Sequence, residues 1–376
     1  MRIVINFSPL KKGGGQNVAL NFLYAFNKMH VEDDYYFIVS RNTEIESFLL
    51  SNYGRNRVLS ISQNPIIRIV NELTKCRLFF ALNHIDVIYT YFGFGLFPKK
   101  IPQIMGSADS NLFFPNINFW SQYSGLRLLT KKLIDNYRIY GLRRCDGIVF
   151  ETPLLESRCH DLFKVKAITK TISPSINIIN DDTQYIIPKV KNCPKALLLC
   201  GWQLNKNIML VPQIALELKK KGMPFQFLIS APLDGSIVQQ EFCKIVKELN
   251  VEEYINIIGT IDKHFLASLY SQINVVVLLS KLESFSNNII EAWSFQRALL
   301  VADEPWARGI CKDGAYYVSR DNTEEISEAL VQLSTDSDIY QHIVNKGSVL
   351  LKEYPTIEQR TIQELKFIKE VYERKH

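Results

Sequence analysis

Val275-Val276-Val277-Leu278-Leu279-Ser280-Lys281-Leu282-Glu283-Ser284-Phe285-Ser286-Asn287-Asn288-Ile289-Ile290-Glu291-Ala292-Trp293 is the stretch whose reading decides the fold. The apolar run Val275 to Leu279 has the length and uniformity of a strand buried on both faces, as parallel strands are. A helical pattern follows. Glu283 therefore falls on the loop leaving the strand's carboxyl end, and Glu291, eight positions on, in the first turns of the helix. In open α/β sheets that crevice is where ligands bind. Helix-start N–H groups hold phosphate there, and carboxylates accept hydrogen bonds from sugar hydroxyls. Ser286-Asn287-Asn288 supplies capping groups, and Ser284 to Ser286 form a short polar loop whose backbone can approach a ligand. Taken alone, such a pair of glutamates also arises when one salts a helix and the other is a solvated loop residue.

Outward from this stretch the same alternation continues. On the amino side lie Ala196–Cys200 as a strand, Ile208–Lys221 as a helix stopped by Gly222, then Gln226–Ile229, a helix over about Gln239–Leu249, Ile255–Ile258 and a helical His264–Ser271. Leu299–Ala302 follows the quoted stretch. A separate series precedes it: Ile3–Phe7, a helix from about Asn17 to Met29, Tyr36–Val39, Val87–Tyr91, Ile101–Met105, the long amphipathic Gly125–Leu142, and Gly147–Phe150. Strand–helix alternation of this kind predicts doubly wound parallel sheets. Ser173–Pro194, with three prolines and the polar Asn177–Gln184, reads as a linker or crossover. The expected organisation is a Rossmann-like domain over 1–175, a second over 176–355, and a helix over 356–376 preceded by Pro355. Two such domains with a cleft between them is the economical architecture.

The length of 376 residues suits two domains, and 47% hydrophobic with 22% charged residues is a soluble globular composition. No apolar run approaches the ~18 residues that span a bilayer. Met1–Phe7 is too short for a signal peptide and reads as a first strand. Seven cysteines form no C-x-x-C pair, so a reduced, cytosolic setting with buried apolar roles is expected. The net charge of +6 permits an anionic membrane surface or nucleic acid and demonstrates neither.

Three further motifs sit at expected strand exits, and a fourth lies outside one. Gly201-Trp202-Gln203-Leu204-Asn205-Lys206-Asn207 follows Ala196–Cys200. Glycine permits a tight exit, and Lys206 is a compact cation for a diphosphate or else an exposed helix-start lysine. Lys11-Lys12-Gly13-Gly14-Gly15-Gln16-Asn17 follows the first strand; its glycines let backbone approach a phosphate or sugar, or make a plain turn. It is not G-x-G-x-x-G, so a dehydrogenase reading is weak. Gly106-Ser107-Ala108-Asp109-Ser110-Asn111 offers Asp109 and Asn111 to a sugar or acceptor, with an Asx turn as the alternative. Asp336-Ser337-Asp338 has the D-x-D form of metal-dependent transferases, but its position suggests a helix cap. The six histidines show no ligand spacing, so no metal is expected. Ile66–Phe80 and the long helix mix cations (Arg68, Lys75, Arg77; Arg127, Lys131, Lys132, Arg138, Arg143, Arg144) with apolar residues. Such stretches are core-packed helices with a solvated face, or attach to anionic lipid. No stacking motif accompanies the charges, so nucleic acid is not an expected partner.

Glu283 and Glu291 match the E-x7-E signature of the retaining nucleotide-sugar glycosyltransferases of family 4, which have the two-domain GT-B fold, and the resemblance runs from about 196 to 335. Val275–Ser280 resembles the strand before that signature, Glu291-Ala292-Trp293 its Glu-Ala-Met, and Ala302-Asp303-Glu304-Pro305-Trp306-Ala307-Arg308 the segment after the next strand. The resemblance implies that Glu283 contacts the donor sugar and Glu291 the nucleotide ribose. It also implies that the loop Ser284, Phe285, Ser286, Asn287 and Asn288 contacts sugar and diphosphate through its backbone. Lys206 would face the diphosphate, although Trp202 stands where the family has arginine, with Arg308 as one compensating candidate. Gly13, Gly14 and Gly15 resemble the glycine loop bordering donor phosphates and acceptor, and the terminal helix resembles the one that crosses back to the first domain.

The implied activity is metal-independent hexosyl transfer, with retention, from a nucleoside-diphosphate sugar to a saccharide or lipid-linked acceptor. Cell-surface polysaccharide or lipopolysaccharide biosynthesis would be the setting. No protein nucleophile is nominated; the family's favoured proposal is a front-side attack. No cofactor is expected beyond the donor, and the location expected is cytoplasmic or peripheral on the inner membrane face. Two alternatives stay open. A GT-B sugar-nucleotide 2-epimerase would convert the donor without acceptor, and a non-catalytic GT-B partner subunit would bind no donor.

Overall fold

Every strand pairing among the described residues of the computed structural model is parallel. These residues are 1–11, 13–121, 123–177 and 183–376. Lys12 of the glycine-loop motif and 178–182 of the expected linker lie outside them. The chain divides into two units, Met1–Asn177 with Pro355–His376, and Ile178–Tyr354.

The first unit holds β1 (Arg2–Asn6), β2 (Asp34–Ser40), β3 (Val58–Ile61), β4 (Val87–Thr90), β5 (Gln103–Ser107), β6 (Gly147–Phe150) and β7 (Ile168–Thr171). Their order in the sheet is β3-β2-β1-β4-β5-β6-β7, so strand order reverses between β1 and β4. Ile3, Val4 and Ile5 are fully buried, as a central strand covered by helices on both faces requires. The helix expected from Asn17 begins earlier, at Gly14, and runs to Lys28. Gly125–Arg144 is a single helix of 20 residues.

The terminal helix Ile357–Glu373 belongs to this first unit and opens with a capping box formed by Thr356 and Gln359. Its Phe367, Ile368 and Val371 enter the first core. A buried polar cluster fixes it further: Arg360 pairs with Glu364 at 3.0 Å, and Tyr91 donates to Glu364 Oε1 at 3.0 Å. Its entry is tied by Ile176, whose N–H donates to the Pro355 carbonyl at 2.9 Å.

The second unit holds β8 (Lys195–Leu199), β9 (Gln226–Ser230), β10 (Ile255–Ile257), β11 (Val275–Leu278), β12 (Ala298–Ala302) and β13 (Tyr316–Val318), in the order β10-β9-β8-β11-β12-β13. The order reverses between β8 and β11. The expected helix over 208–221 opens as a 3-10 turn, Ile208–Leu210, and becomes α-helical at Val211–Lys220. The helix after β11 is Asn287–Ser294. Trp293 anchors it, buried and donating through Nε1 to the Gly314 carbonyl at 2.9 Å. Gly347, on the helix Ser337–Leu351, lies against that indole, and a Cβ there would stand 2.2 Å from Trp293 Cδ1. All seven cysteines are free thiols, five of them buried.

Overpacking that contact is expected to destabilise the unit. Gly347→Ala should cost about 1–3 kcal/mol, read as a lower denaturation midpoint with an unchanged m-value. An unaltered midpoint would mean that the Trp293 contact does not hold the helix.

Candidate functional site

The crevice between β8 and β11 is opened by the strands themselves. Their ladder covers only Val275↔Ala196 and Val276↔Leu197, whereas β11 pairs with β12 over four positions. Beyond those two pairs the strands part, and side chains take over the backbone groups left behind. Asn288 Nδ2 donates to the Leu199 carbonyl at 3.1 Å, and Asn205 Nδ2 to the Leu282 carbonyl at 3.0 Å. Lys281 N–H donates to the Asn205 carbonyl at 2.9 Å. These two asparagines clip the exits of β8 and β11 together. Asn205 was not singled out from sequence, and nothing in its local pattern distinguishes it from a loop asparagine.

Gly201 makes the turn out of β8 at φ +57, a left-handed conformation that favours glycine. A short 3-10 turn, Leu204–Lys206, then aims Lys206 across the crevice. Its ammonium pairs with Glu283 Oε1. Both side chains are largely buried, 14% and 13% exposed, so the pair lies in a medium where each charge needs the other. Asn207, also left-handed at φ 59, donates to the Arg320 carbonyl at 3.0 Å and fixes the end of that turn.

Trp202 does not reach the crevice as a phosphate donor. Its ring packs against Phe242, centroids 5.5 Å apart, and Nε1 donates to the Pro232 carbonyl at 2.6 Å. Arg308 does not compensate for it. It forms a two-pronged pair with Asp303 at 2.7 and 2.8 Å and lies over the Tyr317 ring at 3.6 Å. Lys206 is thus the cation that the β8 exit presents to the crevice.

Ser286 is the N-cap of Asn287–Ser294, and its side chain makes no cap hydrogen bond. No acidic residue occupies the first helical turn, so the helix start presents amide groups to an anion. Asn287 is exposed, Ser284 and Phe285 are half-buried, and the Phe285 ring packs on Tyr354 at 5.6 Å.

Glu291 lies one turn further along. Tyr270 donates to its Oε2 at 2.9 Å, and the Lys263 ammonium adds an attractive field. Burial pushes the Glu291 carboxyl above its usual range, and these two groups pull it only part of the way back. Burial likewise pushes the Lys263 ammonium down, against the pull of Glu291. Tyr270 and Lys263 were not read as site residues, because they reach Glu291 from another segment, Lys263–Ser271.

The first unit's candidates are placed apart from this crevice in sequence and sheet. Gly13, at φ +71, precedes the helix Gly14–Lys28, whose start has no side-chain cap and no acidic residue in its first turn. Gly14 has open space where a Cβ would stand. Asp109 and Asn111, by contrast, are not free ligand groups. Asp109 pairs with Arg138 at 3.1 Å, and Asn111 donates to Asp135 at 3.0 Å. Burial raises the Asp109 carboxyl while Arg138 counteracts it. Both residues brace the helix Gly125–Arg144. The Asp336-Ser337-Asp338 motif is a helix cap, Asp336 accepting from the N–H groups of Asp338 and Ile339 at 3.0 Å each.

A carboxyl raised by burial stabilises the fold when protonated and loses that contribution as pH rises through its folded value. Glu291→Gln removes this loss. The variant should gain stability over wild type between the mildly acidic range and neutral pH, and show no gain where Glu291 is already protonated. Denaturant midpoints across that pH range decide it; a constant difference would sink the assignment.

Residues 202–349 match the family model Glycosyl transferases group 1. No curated protein matches the sequence. Solved structures similar to the whole chain include sucrose-phosphate synthase from Thermosynechococcus elongatus, with TM-score 0.71, 14% identity and full coverage of both chains. A glycosyltransferase from Rickettsia africae matches at TM-score 0.69 and 13% identity, over 98% of each chain. Anabaena HepE in complex with UDP-glucose matches at TM-score 0.69 and 14% identity, over 97% of this chain and 99% of that one. The two parallel α/β sheets are those of the GT-B glycosyltransferase fold, and the match to glycosyl transferases group 1 lies within the second unit.

Proposed function

We propose that this protein is a retaining, metal-independent glycosyltransferase that takes a hexose from a nucleoside-diphosphate sugar and gives it to a saccharide or lipid-linked acceptor of a cell-surface polysaccharide. The observation that carries the reading is the Lys206–Glu283 pair in the β8/β11 crevice, with Glu291 on the following helix, inside the glycosyl transferases group 1 domain. Anabaena HepE, solved with UDP-glucose, and a Burkholderia vietnamiensis trehalose-phosphate synthase described as UDP-forming support a uridine diphosphate donor as the first to test.

The groups divide the work by chemistry. Glu291 accepts from ribose hydroxyls, with Tyr270 holding one of its oxygens in place. Lys206 exchanges Glu283 for the diphosphate and stabilises the charge that grows on it as the sugar leaves. The amides at the start of Asn287–Ser294 add to that field. Glu283, released from Lys206, accepts from donor-sugar hydroxyls. In the first unit, Gly13 to Gly15 are the residues proposed to contact the acceptor. No helix among the described residues is long and apolar enough to cross a membrane.

Trp202, turned into the core where arginine is frequent, favours one rival: a partner subunit that binds no donor. Thermal-shift screening with UDP-, GDP-, dTDP- and ADP-sugars separates the two, because a ligand of the native state raises its stability. A rise with one donor series is expected; none in any series leaves the rival.

Glu291→Ala should weaken nucleotide binding by about 1.5–3 kcal/mol, roughly 10- to 150-fold, in calorimetry. Unchanged affinity would remove its ribose role. Glu283→Ala should lower turnover more than nucleotide affinity, and chelation with EDTA should leave the rate unaltered. Sugar conversion without acceptor would reassign the protein to epimerisation.

A further inference from the structure

The helix Pro65–Leu73 is oriented against the usual rule. Ile66, Ile67, Ile69, Val70 and Leu73 are 41–75% exposed, while Asn71 and Glu72 are buried. The polar face is the one in use. Glu72 pairs with Arg68 at 2.8 Å and accepts from Leu96 N–H at 2.9 Å, which fastens the helix to the loop leaving β4. The adjoining helix Lys75–Leu82 also leaves Leu78 and Leu82 exposed. On Gly125–Arg144, Leu126, Leu129, Leu133 and Ile134 are exposed in the same way. Both regions grip one loop, since Arg68 Nη2 (3.5 Å) and Tyr137 Oη (3.0 Å) donate to the Phe94 carbonyl. Two exposed apolar helix faces thus flank a single strand exit of the first unit. Isolated exposed leucines need no explanation, but a contiguous set of this kind calls for a partner.

The charges decide which partner. Gly125–Arg144 carries six cations against one carboxylate, Asp135. Arg138 is held by Asp109 and Asp135, Arg144 by the Phe97 carbonyl and Lys131 by the Trp120 and Tyr123 rings, which leaves Arg127, Lys132 and Arg143 as its exposed cations. Asp135 is already engaged by Asn111, Trp120 and Arg138. Lys75 and Arg77 are exposed, and the carboxylate of that region, Glu72, is buried. A two-fold dimer through this face would set cations against their own copies. A bilayer with anionic headgroups accepts both features at once, the apolar side chains below the headgroups and the cations among them.

We propose that this face docks on an anionic lipid surface, which brings the exit of β4, at the point where the first sheet reverses its strand order, beside the lipid. The inference stands on the first unit alone. It fits a lipid-linked acceptor without requiring one, so loss of donor binding and loss of lipid binding are separate results.

The test is flotation of the full-length chain with vesicles of phosphatidylcholine alone and of phosphatidylcholine with phosphatidylglycerol. The protein is expected to float only with the anionic vesicles and to be released as salt rises. Ile66→Glu with Leu126→Glu, both at exposed positions, should lower binding by roughly ten-fold or more while the melting temperature stays unchanged. Arg127→Glu with Lys132→Glu should lower it by roughly five-fold or more. No flotation on either vesicle overturns the proposal, as does binding that ignores both variants. A concentration-dependent dimer in sedimentation velocity, dissolved by Leu126→Glu and indifferent to lipid, would assign the face to a second copy instead.

Discussion

A parallel sheet that reverses its strand order must send the connections of two neighbouring strands to opposite faces, and the backbone then cannot fill the space between their exits. In the second unit this constraint falls between β8 and β11, whose ladder ends after two residue pairs. Everything in the candidate site is a response to that gap. Asn205 and Asn288 satisfy carbonyls that a longer ladder would have paired. Lys206 comes from one exit and Glu283 from the other, and Glu291 rides on the helix that the second exit starts. The chemistry follows from topology: a cation and a carboxylate meet because no backbone can.

The pair they form is a weak support for the fold. Taking both charges out of water costs about as much as their attraction returns, whereas removing one partner leaves the other buried and unpaired. A pair of this kind holds two charges dry and poised, and an anionic ligand that replaces one partner meets little resistance. Glu291 is kept in the same condition by different means. Burial opposes its charge, and Tyr270 and Lys263 offset part of that cost in a place that an apolar residue would occupy more cheaply.

The features legible in the sequence were those carried by uniform local pattern. Val275–Leu279 reads as a buried strand because parallel strands bury both faces, and β6 is found over the expected Gly147–Phe150 for the same reason. Glycine at 201 announced a turn that does require the left-handed region. What could not be read depended on partners distant in sequence. Asp109 and Asn111 look like ligand groups at a strand exit until Asp135 and Arg138 arrive from the long helix. Trp202 reads as a vacancy in a phosphate site, yet Phe242 and the Pro232 carbonyl give it a packing role. β3 and β13 lie at the edges of their sheets and are half-buried at two positions each, so neither shows the uniform apolar run that marked the inner strands.

Pro65–Leu73 marks a different limit, because there the pattern itself was clear. Periodicity fixes that a helix has an apolar face and says nothing of which way that face turns. The default inward orientation rests on the core offering the better solvent for it. Here a buried glutamate outweighs that default: Glu72 satisfies the Leu96 N–H and Arg68 together, and turning the helix over would bury isoleucines at the cost of leaving three strong polar groups unmatched. An orientation fixed by polar contacts leaves the apolar side without a partner inside the first unit. The fold therefore tolerates exposed isoleucines in water by holding the opposite side rigidly, which keeps the face presented rather than collapsed.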